Sequence, residues 1–270
     1  MLTVRNGLAA PVAVFDAGIG SYALVELIRR RQPNRDIIYF ADRARFPYGG
    51  KTRSELLSIM RSTIDYLIGL GAESVVLASN APSIMVLDAL KDQFAVPVYG
   101  VAPPVREAVA ASRSGHVAVL GVRSMIESAE LSVFVHTQAT GSAEISLINA
   151  SPMVELVESG LFLSNPARTA EDVARFCDVI VAEYPHIDVL TLSSTHLPWL
   201  RPFFEKARPD WLFLDPADSV VSALPFSQGG SGQTVALVTE NAAYRASDFA
   251  KMLATLGINL DLTVVEPSIG

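Results

Sequence analysis

The segment Ser193–His196 holds the densest group of reactive side chains in the sequence, and it follows the apolar run Val189–Leu192. Two serines, a threonine and a histidine at the end of a strand-like run are too polar for a core turn, so they need polar partners or a ligand. A neighbouring imidazole can deprotonate a serine hydroxyl, which is otherwise a weak nucleophile and a weak acid. The segment therefore marks this strand end as a candidate site, with His196 as the one histidine of the sequence in such a setting.

Two further apolar runs end in polar residues. Asp16 ends the run Val12–Phe15, and Ser79 with Asn80 follows the run Ser74–Ala78. A carboxylate at a strand end that faces a cleft is a candidate for orienting an amine or holding a proton. Ser79 and Asn80 are good helix-capping residues, but together with the N–H groups of a helix start they could also hold a carboxylate. Both interpretations of Ser79 and Asn80 stay open at this point.

The turn after Asp16 also matches a dinucleotide-binding pattern. Gly18–Ala23 reads G-x-G-x-x-A between a strand and a helix, and Asp36 or Asp42 lies at about the right distance for the ribose. A carboxylate two residues before the first glycine would repel a pyrophosphate, however. The glycines also suit a tight strand-to-helix turn, so we favour the turn over a nucleotide site.

Ten short runs rich in Val, Ile and Leu must position these residues. The runs are Val12–Phe15, Asp36–Phe40, Ser74–Ala78, Val96–Tyr99, Val117–Gly121, Ile145–Asn149, Ile187–Leu192, Trp211–Leu214, Thr234–Val238 and Leu262–Val265. Helix-length amphipathic patterns lie between most of them, as in Arg53–Leu70, Ala170–Glu183 and Ala242–Leu256. This alternation predicts an α/β fold with mostly parallel sheets flanked by helices. Ten strands are too many for one typical open sheet in a chain of this length, so two lobes are expected, with ligands bound in a cleft at the carboxyl ends of the strands.

The lobe boundaries are predicted from proline positions. Pro103 and Pro104 prevent a helix from running back through them, and a second boundary lies near Pro209-Asp210. The first lobe is therefore expected to be discontinuous, formed by residues 1–102 and 211–270, and the second to span 103–210. The Gly/Ser-rich segment Phe226–Gln233 is expected to be a flexible surface connection.

Composition narrows the class of protein. The 270 residues are 50% hydrophobic and 18% charged, and 28 acidic against 21 basic side chains give a net charge of -7, which argues against nucleic-acid or anionic-membrane partners. No apolar run approaches the ~18 residues of a transmembrane helix, and the N-terminus has no signal-peptide pattern. The single Cys177 excludes an internal disulfide and a multi-cysteine zinc site, and no His/Asp/Glu cluster has metal-ligand spacing. We expect a cytoplasmic protein that acts on a small molecule without a metal.

Five segments, taken in order and spacing, resemble the motifs of the glutamate racemases, which belong to the aspartate/glutamate racemase superfamily. They are Asp16-Ala-Gly-Ile-Gly20, Phe46-Pro-Tyr-Gly-Gly-Lys51, Ser79-Asn-Ala-Pro-Ser83, Leu156-Val-Glu-Ser-Gly160 and Leu192-Ser-Ser-Thr-His-Leu-Pro198. The resemblance spans nearly the whole chain. It implies two similar α/β lobes with the active site between them, no cofactor, an amino acid or carboxylic acid as ligand, and frequently a homodimer. It also implies interconversion of L- and D-glutamate, which supplies D-glutamate for peptidoglycan.

The resemblance also assigns residues to the site. Ser79 and Ser194 stand where the family has its two catalytic cysteines, and Asp16, Glu158 and His196 stand where it has the residues that support them. The substrate-binding positions implied by the same motifs are Asp16, Ala17, Pro47, Tyr48, Gly49, Asn80, Ala81, Thr195 and His196. Hydrogen-bonding residues of the family are replaced by Ala17 and Ala81, and in the loop after Val117–Gly121 by Val122 and Met125.

The two serines predict inefficient racemisation, because a hydroxyl is a far weaker acid than a thiol and needs an adjacent base. His196 could assist Ser194, but no comparable base is visible beside Ser79. Cys177 lies in an amphipathic helix pattern and is expected to be a core residue. Whether the chain is an active enzyme stays open, and so does whether the serines are natural or introduced.

Two alternatives to glutamate racemisation also stay open. One is a serine-based isomerase, lyase or hydrolase that uses Ser194 with His196 on a smaller or more apolar acid, as the alanines at positions 17 and 81 and Met125 would favour. The other is a non-catalytic protein that kept the fold and binds or senses a small molecule.

Overall fold

The structure is a computed structural model that describes residues 7–139, 141–226 and 229–266. The chain divides into two compact units. The first is formed by Met1–Val101 with Ala217–Gly270, and the second by Ala102–Pro216.

Ten strands and twelve α-helices make up the described part of the chain. The strands are β1 Val12–Asp16, β2 Ile37–Asp42, β3 Ser74–Leu77, β4 Val98–Gly100, β5 His116–Gly121, β6 Glu144–Asn149, β7 Val189–Leu192, β8 Leu212–Leu214, β9 Thr234–Thr239 and β10 Leu262–Val264. The helices are α1 Tyr22–Arg31, α2 Arg53–Gly69, α3 Asn80–Met85, α4 Val105–Ala111, α5 Arg123–Ile126, α6 Ala129–Gln138, α7 Ser151–Glu158, α8 Leu161–Ser164, α9 Pro166–Glu183, α10 Arg201–Ala207, α11 Ala217–Ala223 and α12 Ala246–Thr255. Each predicted strand is present, with ends within two residues of the expected ones.

The first unit contains a six-stranded sheet in the order β10-β9-β2-β1-β3-β4, and every strand pair in it is parallel. Every residue of β1, β2 and β3 is buried. Such uninterrupted burial is typical of a parallel sheet covered on both faces. The predicted α/β class with parallel sheets flanked by helices is confirmed.

The second unit contains a four-stranded parallel sheet in the order β6-β5-β7-β8. Its last strand, β8, differs from the prediction, which assigns residues 211–270 to the first lobe. Leu190 of β7 pairs with Phe213 of β8, which holds β8 in the second sheet. The division between the units therefore falls at Ala217.

Helix ends follow local capping chemistry. The helix α2 begins after Thr52, whose hydroxyl accepts a hydrogen bond from the N–H of Glu55 while the Glu55 carboxylate accepts one from the N–H of Thr52. One face of α2 then packs into the core through Leu56, Met60 and Ile64, as its helical spacing requires. The helix α12 begins four residues later than predicted because Asn241 Oδ1 accepts hydrogen bonds from the N–H groups of residues 243 and 244, which form a turn there.

Asp36 holds the Gly/Ser-rich segment at the amino ends of the strands. Its carboxylate accepts hydrogen bonds from the N–H groups of Ala9 at 2.7 Å, Ser231 at 2.9 Å and Gln233 at 3.0 Å. At Gly232 the backbone has φ +73, and a Cβ would lie 2.4 Å from the carbonyl oxygen of residue 33. The expected flexible connection is therefore anchored where it is described, whereas residues 227 and 228 of it lie outside the described part.

Among the described residues, no helix is long and apolar enough to cross a membrane.

Candidate active site

The carboxyl ends of neighbouring strands in the first sheet carry a row of polar residues. Asp16 ends β1, Asp42 ends β2, Thr239 ends β9 and Ser79 follows β3. The register pairs Asp42 with Thr239 and Asp16 with Ala41, so these ends lie side by side. This edge is where an open parallel sheet binds its ligands. The structure thus gathers Asp16 and Ser79, two of the predicted site residues, at one edge.

Asp42 is fully buried at this edge, and its carboxylate accepts side-chain hydrogen bonds from three of the described residues. The donors are the Thr239 hydroxyl at 2.8 Å, the Tyr48 phenol at 2.9 Å and the Arg45 guanidinium at 3.1 Å. A buried carboxylate needs such donors because it has lost its hydration. The sequence suggests only a ribose ligand at Asp42, and the position of Asp42 at a strand end is the feature that indicates a place in this polar row.

Tyr48 is buried on the turn that follows β2, between the exposed Pro47 and the half-buried Gly49. Burial raises the pKa of the Tyr48 phenol well above its usual value, and the carboxylates of Asp42 and Asp16 raise it further. The phenol therefore stays protonated and donates its hydrogen to Asp42.

Ser79 lies at the cap position of α3, but its side chain makes no capping hydrogen bond within the described part of the chain. Asn80, the first residue of α3, donates from Nδ2 to the Val101 carbonyl at 3.0 Å. Asn80 is 3% exposed, and its Oδ1 accepts no hydrogen bond from any described residue. The buried Ala81 follows it. The capping interpretation of Ser79 is therefore wrong, and the amide oxygen of Asn80 is a buried acceptor that no described residue satisfies.

Arg43 adds a buried cation beside the β1 turn. Its guanidinium donates to the carbonyl of Ala17 at 2.9 Å and lies 4.6 to 5.2 Å from the ring centres of Phe46, Tyr244 and Phe249. Aromatic faces attract a desolvated cation. Two of the three rings are about 200 residues away in sequence, so no local pattern could have revealed this contact.

In the second unit, Ser194, His196 and Glu158 form a hydrogen-bonded chain. Ser194 Oγ lies 3.3 Å from His196 Nδ1, and His196 Nε2 lies 2.6 Å from Glu158 Oε1. Ser194 and His196 are 5% and 7% exposed. A carboxylate can only accept, so Nε2 carries a hydrogen, and in the neutral imidazole Nδ1 then presents a lone pair to the serine. This arrangement can take a proton from Ser194 and stabilise the imidazolium that results.

The turn after β7 holds Ser194 and His196 of this hydrogen-bonded series in place. The N–H of Ser193 donates to the Leu120 carbonyl, and the N–H of Leu197 donates to the Ser194 carbonyl. The Ser193 hydroxyl is fully buried and shares a 2.7 Å hydrogen bond with Thr191. Ser193 therefore serves the turn, whereas the Ser194 hydroxyl faces His196. The half-buried Thr195 stands between Ser194 and His196 in the sequence.

Buried apolar side chains lie near the carboxyl ends of strands in both sheets. Met125 is fully buried. A Cβ atom placed on Gly121 would lie 2.2 Å from the Met125 methyl carbon, so the methyl group fills the space beside this glycine. In the first unit, Ala17 and Ala81 are 1% and 4% exposed. These positions offer no side-chain hydrogen bond to a ligand carboxylate.

Cys177 lies on α9 and is 1% exposed. Burial raises the pKa of its thiol to about 12. The prediction that Cys177 is a core residue is confirmed, and its thiol is not a proton acceptor at neutral pH. Within the described ranges, no three His, Cys, Asp or Glu side chains cluster as metal ligands would.

Comparison with known proteins shows which family the chain belongs to. The model of the Asp/Glu/Hydantoin racemase family matches residues 23–224, a span that contains Ser79, Glu158 and Ser194. The chain is 31% identical over 261 residues to a glutamate racemase of Ectopseudomonas mendocina, covering 94% of this chain and 96% of the relative. It is also 31% identical over 221 residues to a glutamate racemase of Gloeothece citriformis, covering 82% of this chain and 77% of the relative.

The fold agrees with solved structures. It superposes on the Escherichia coli glutamate racemase, determined with L-glutamate and the activator UDP-MurNAc-ala, with a TM-score of 0.79 and 21% identity over 97% of this chain and 100% of that one. That likeness concerns the fold, whereas the family match and the 31% identities carry the assignment. On this evidence, the chain belongs to the glutamate racemase family.

Proposed function

We propose that this protein exchanges the α-hydrogen of glutamate with solvent and so interconverts its L and D forms, slowly and without a cofactor. The observation that carries the proposal is the chain Ser194–His196–Glu158, a buried hydroxyl coupled to an imidazole and a carboxylate. The family membership supports the substrate class.

The second unit supplies one proton carrier. When the Ser194 oxygen takes the α-proton, its own hydrogen passes to His196 Nδ1. An imidazole can accept a proton at one ring nitrogen and return it, which is the role of a general base and acid. The Glu158 carboxylate, 2.6 Å from Nε2, stabilises the imidazolium while the proton is held there.

The first unit supplies a different set of groups. Asp16 is a buried carboxylate at the strand end beside Ser79, and Asn80 Oδ1 is a buried acceptor to which none of the described residues donates. We assign Asn80 Oδ1 to the substrate ammonium group and Asp16 to proton transfer with Ser79. Tyr48 acts on Asp42 rather than directly on the substrate in this scheme.

Slow turnover follows from the chemistry of these groups. A hydroxyl removes a carbon-bound proton less readily than a thiolate, which forms near neutral pH. The apolar side chains at positions 17, 81 and 125 also lack the donors that would hold both carboxylates of glutamate, and each charge-assisted hydrogen bond is worth about 1.5–3 kcal/mol.

Proton NMR in D2O tests the proposal. The α-hydrogen signal of L- and D-glutamate should decay in the presence of the protein, and Ser194→Ala should abolish the decay. The double variant Ser79→Cys/Ser194→Cys should accelerate exchange by about 10²-fold or more. No exchange by the parent protein would overturn the proposal, and if the double-cysteine variant is also inactive, thermal-shift screening of amino acids would identify a bound ligand.

A smaller acid is the second candidate substrate, and the burial of Met125 and Ala81 favours it. The same NMR experiment with alanine and aspartate decides between the two. Faster exchange of alanine than of glutamate would assign the site to a smaller, more apolar acid.

The physiological setting belongs to the same proposal. Interconversion of glutamate supplies D-glutamate for peptidoglycan, a reaction that we place in the cytoplasm. We further propose a homodimer. Light scattering of the protein as it elutes from a size-exclusion column measures its mass and tests this proposal. A mass that stays that of one chain at all concentrations would exclude it.

A further inference from the structure

We propose that Ser194 is also a covalent nucleophile, so that the protein reacts with small acyl and phosphonyl electrophiles as a serine hydrolase does. The inference goes beyond proton exchange at an amino acid. It rests on what distinguishes a hydroxyl from a thiol at this position, together with the geometry of the residues behind it.

The direction of the hydrogen bonds supplies the first argument. Glu158 takes the Nε2 hydrogen, which leaves the Nδ1 lone pair 3.3 Å from the Ser194 oxygen. A serine whose hydrogen points to a neutral imidazole, itself oriented by a carboxylate, is the arrangement that activates serine for attack on carbonyl carbon. Here the two imidazole nitrogens exchange roles relative to the usual serine protease arrangement: Nδ1 faces the serine as the base, and Nε2 donates its hydrogen to the carboxylate.

The second argument is environment. The side chains of His196 and Glu158 are only 9% and 11% exposed. A charged pair in such a water-poor setting interacts more strongly than in bulk water, which favours the imidazolium–carboxylate state formed during attack. Ser194 keeps 5% of its surface exposed, whereas its neighbour Ser193 keeps none and is paired with Thr191. The two adjacent serines therefore differ in both partner and accessibility.

The reaction on an ester balances with these groups alone. Ser194 Oγ bonds to the carbonyl carbon as its proton moves to His196 Nδ1, and the bond from carbon to the alcohol oxygen breaks as that oxygen takes the proton. Water then attacks the acyl carbon, gives one proton to Nδ1, and Ser194 leaves with it. With a fluorophosphonate, the oxygen–phosphorus bond forms, fluoride leaves, and the proton passes from His196 to solvent.

Labelling with a fluorophosphonate tests the inference. We expect intact-mass analysis to show one adduct per chain and peptide mapping to place it on Ser194. Ser194→Ala should remove the adduct, and His196→Gln should slow labelling by about 10²-fold or more. Ser164→Ala, at an exposed position on α8 of the same unit, is the control and should label at the parent rate. The steady release of p-nitrophenol from p-nitrophenyl acetate should show the same pattern across the variants.

Each outcome is decisive because labelling does not require an amino-acid substrate. An unlabelled parent protein that is folded by circular dichroism overturns the inference, as does an adduct that persists in Ser194→Ala. Exchange of glutamate without labelling leaves the proposed isomerase in place and removes the nucleophile. Labelling without exchange of glutamate supports the nucleophilic Ser194 and removes the proposed isomerase activity.

Discussion

The phenol of Tyr48 donates a hydrogen bond to Oδ2 of Asp42, and both side chains are buried. This contact connects the turn after β2 to the strand end beside Asp16, so a residue implied to bind substrate serves first to satisfy a buried carboxylate. A carboxylate that loses one of its donors keeps its charge but loses part of its solvation.

We therefore expect Tyr48→Phe to lower the free energy of unfolding by about 1–3 kcal/mol, because Asp42 loses one of its three donors. Urea denaturation followed by circular dichroism measures the change. Tyr66→Phe is the control, since Tyr66 packs on Phe40 at a half-buried position and should change by less than about 0.5 kcal/mol. Equal losses in the two variants would contradict the role of the Asp42 contact.

Asp36 should make stability depend on pH. Burial raises the pKa of this carboxyl, but the hydrogen bonds from the N–H groups of Ala9, Ser231 and Gln233 outweigh burial and hold the pKa below its usual value. A carboxyl with a lowered folded-state pKa stabilises the fold above its unfolded pKa of about 3.9 and loses that contribution as pH falls through the folded value.

Asp36→Asn should consequently cost about 2 kcal/mol or more near pH 7, and the difference from the parent protein should shrink as pH falls below about 4. Urea denaturation across this range measures both effects. The exposed Asp92→Asn should leave the profile unchanged. A parent-to-variant difference that stays constant down to acid pH would show that Asp36 does not act through its charge.

Glu158→Gln should slow α-hydrogen exchange of glutamate by at least about 10-fold, because a neutral amide stabilises the His196 imidazolium less than a carboxylate does. Exchange rates by NMR, with unfolding midpoints measured alongside, separate this effect from a loss of structure. Glu155→Gln lies on the same helix, α7, at an exposed position and should keep the parent rate. If both variants lose the same fraction of activity, the contact of Glu158 with His196 is not what matters.

Cys177 should not react with iodoacetamide in the native protein near neutral pH, since burial raises the pKa of its thiol to about 12 and covers the sulfur. Alkylation should go to completion in concentrated urea. Cys177→Ala should cost about 1 kcal/mol of stability and leave the exchange rate unchanged. Rapid native alkylation together with loss of exchange would instead make this thiol one of the missing bases.

Arg43→Lys should destabilise the first unit by about 1–3 kcal/mol, because an ammonium cannot both cover three ring faces and reach the Ala17 carbonyl. Chemical denaturation measures the loss, and the exposed Arg30→Lys provides the comparison. A loss no larger than that of Arg30→Lys would rule out the aromatic contacts as a source of stability.

The sequence predicted the elements well because the forces that form them are local. Runs of β-branched and aliphatic residues bounded by turn residues identified all ten strands, and the ends of those strands located Asp16, Ser79 and Ser194. The pairing of Ser194 with His196 was also predictable, because two residues separated by one position at a strand end share the same turn. Glu158 was supplied by the resemblance, since no local pattern indicates that α7 reaches His196, which lies 38 positions later in the sequence.

Only the tertiary structure decided which distant groups meet. Thr239 reaches Asp42 because β9 pairs with β2 across nearly 200 positions, Arg43 is enclosed by rings from α12 and the segment before it, and Asp36 anchors a loop from the other end of the chain. Strand order and helix packing create these contacts, and both depend on the burial of many side chains at once rather than on any short pattern. The sequence by itself therefore determined the elements and the reactive residue types, while strand order and packing decided the partner, the protonation and the exposure of each one.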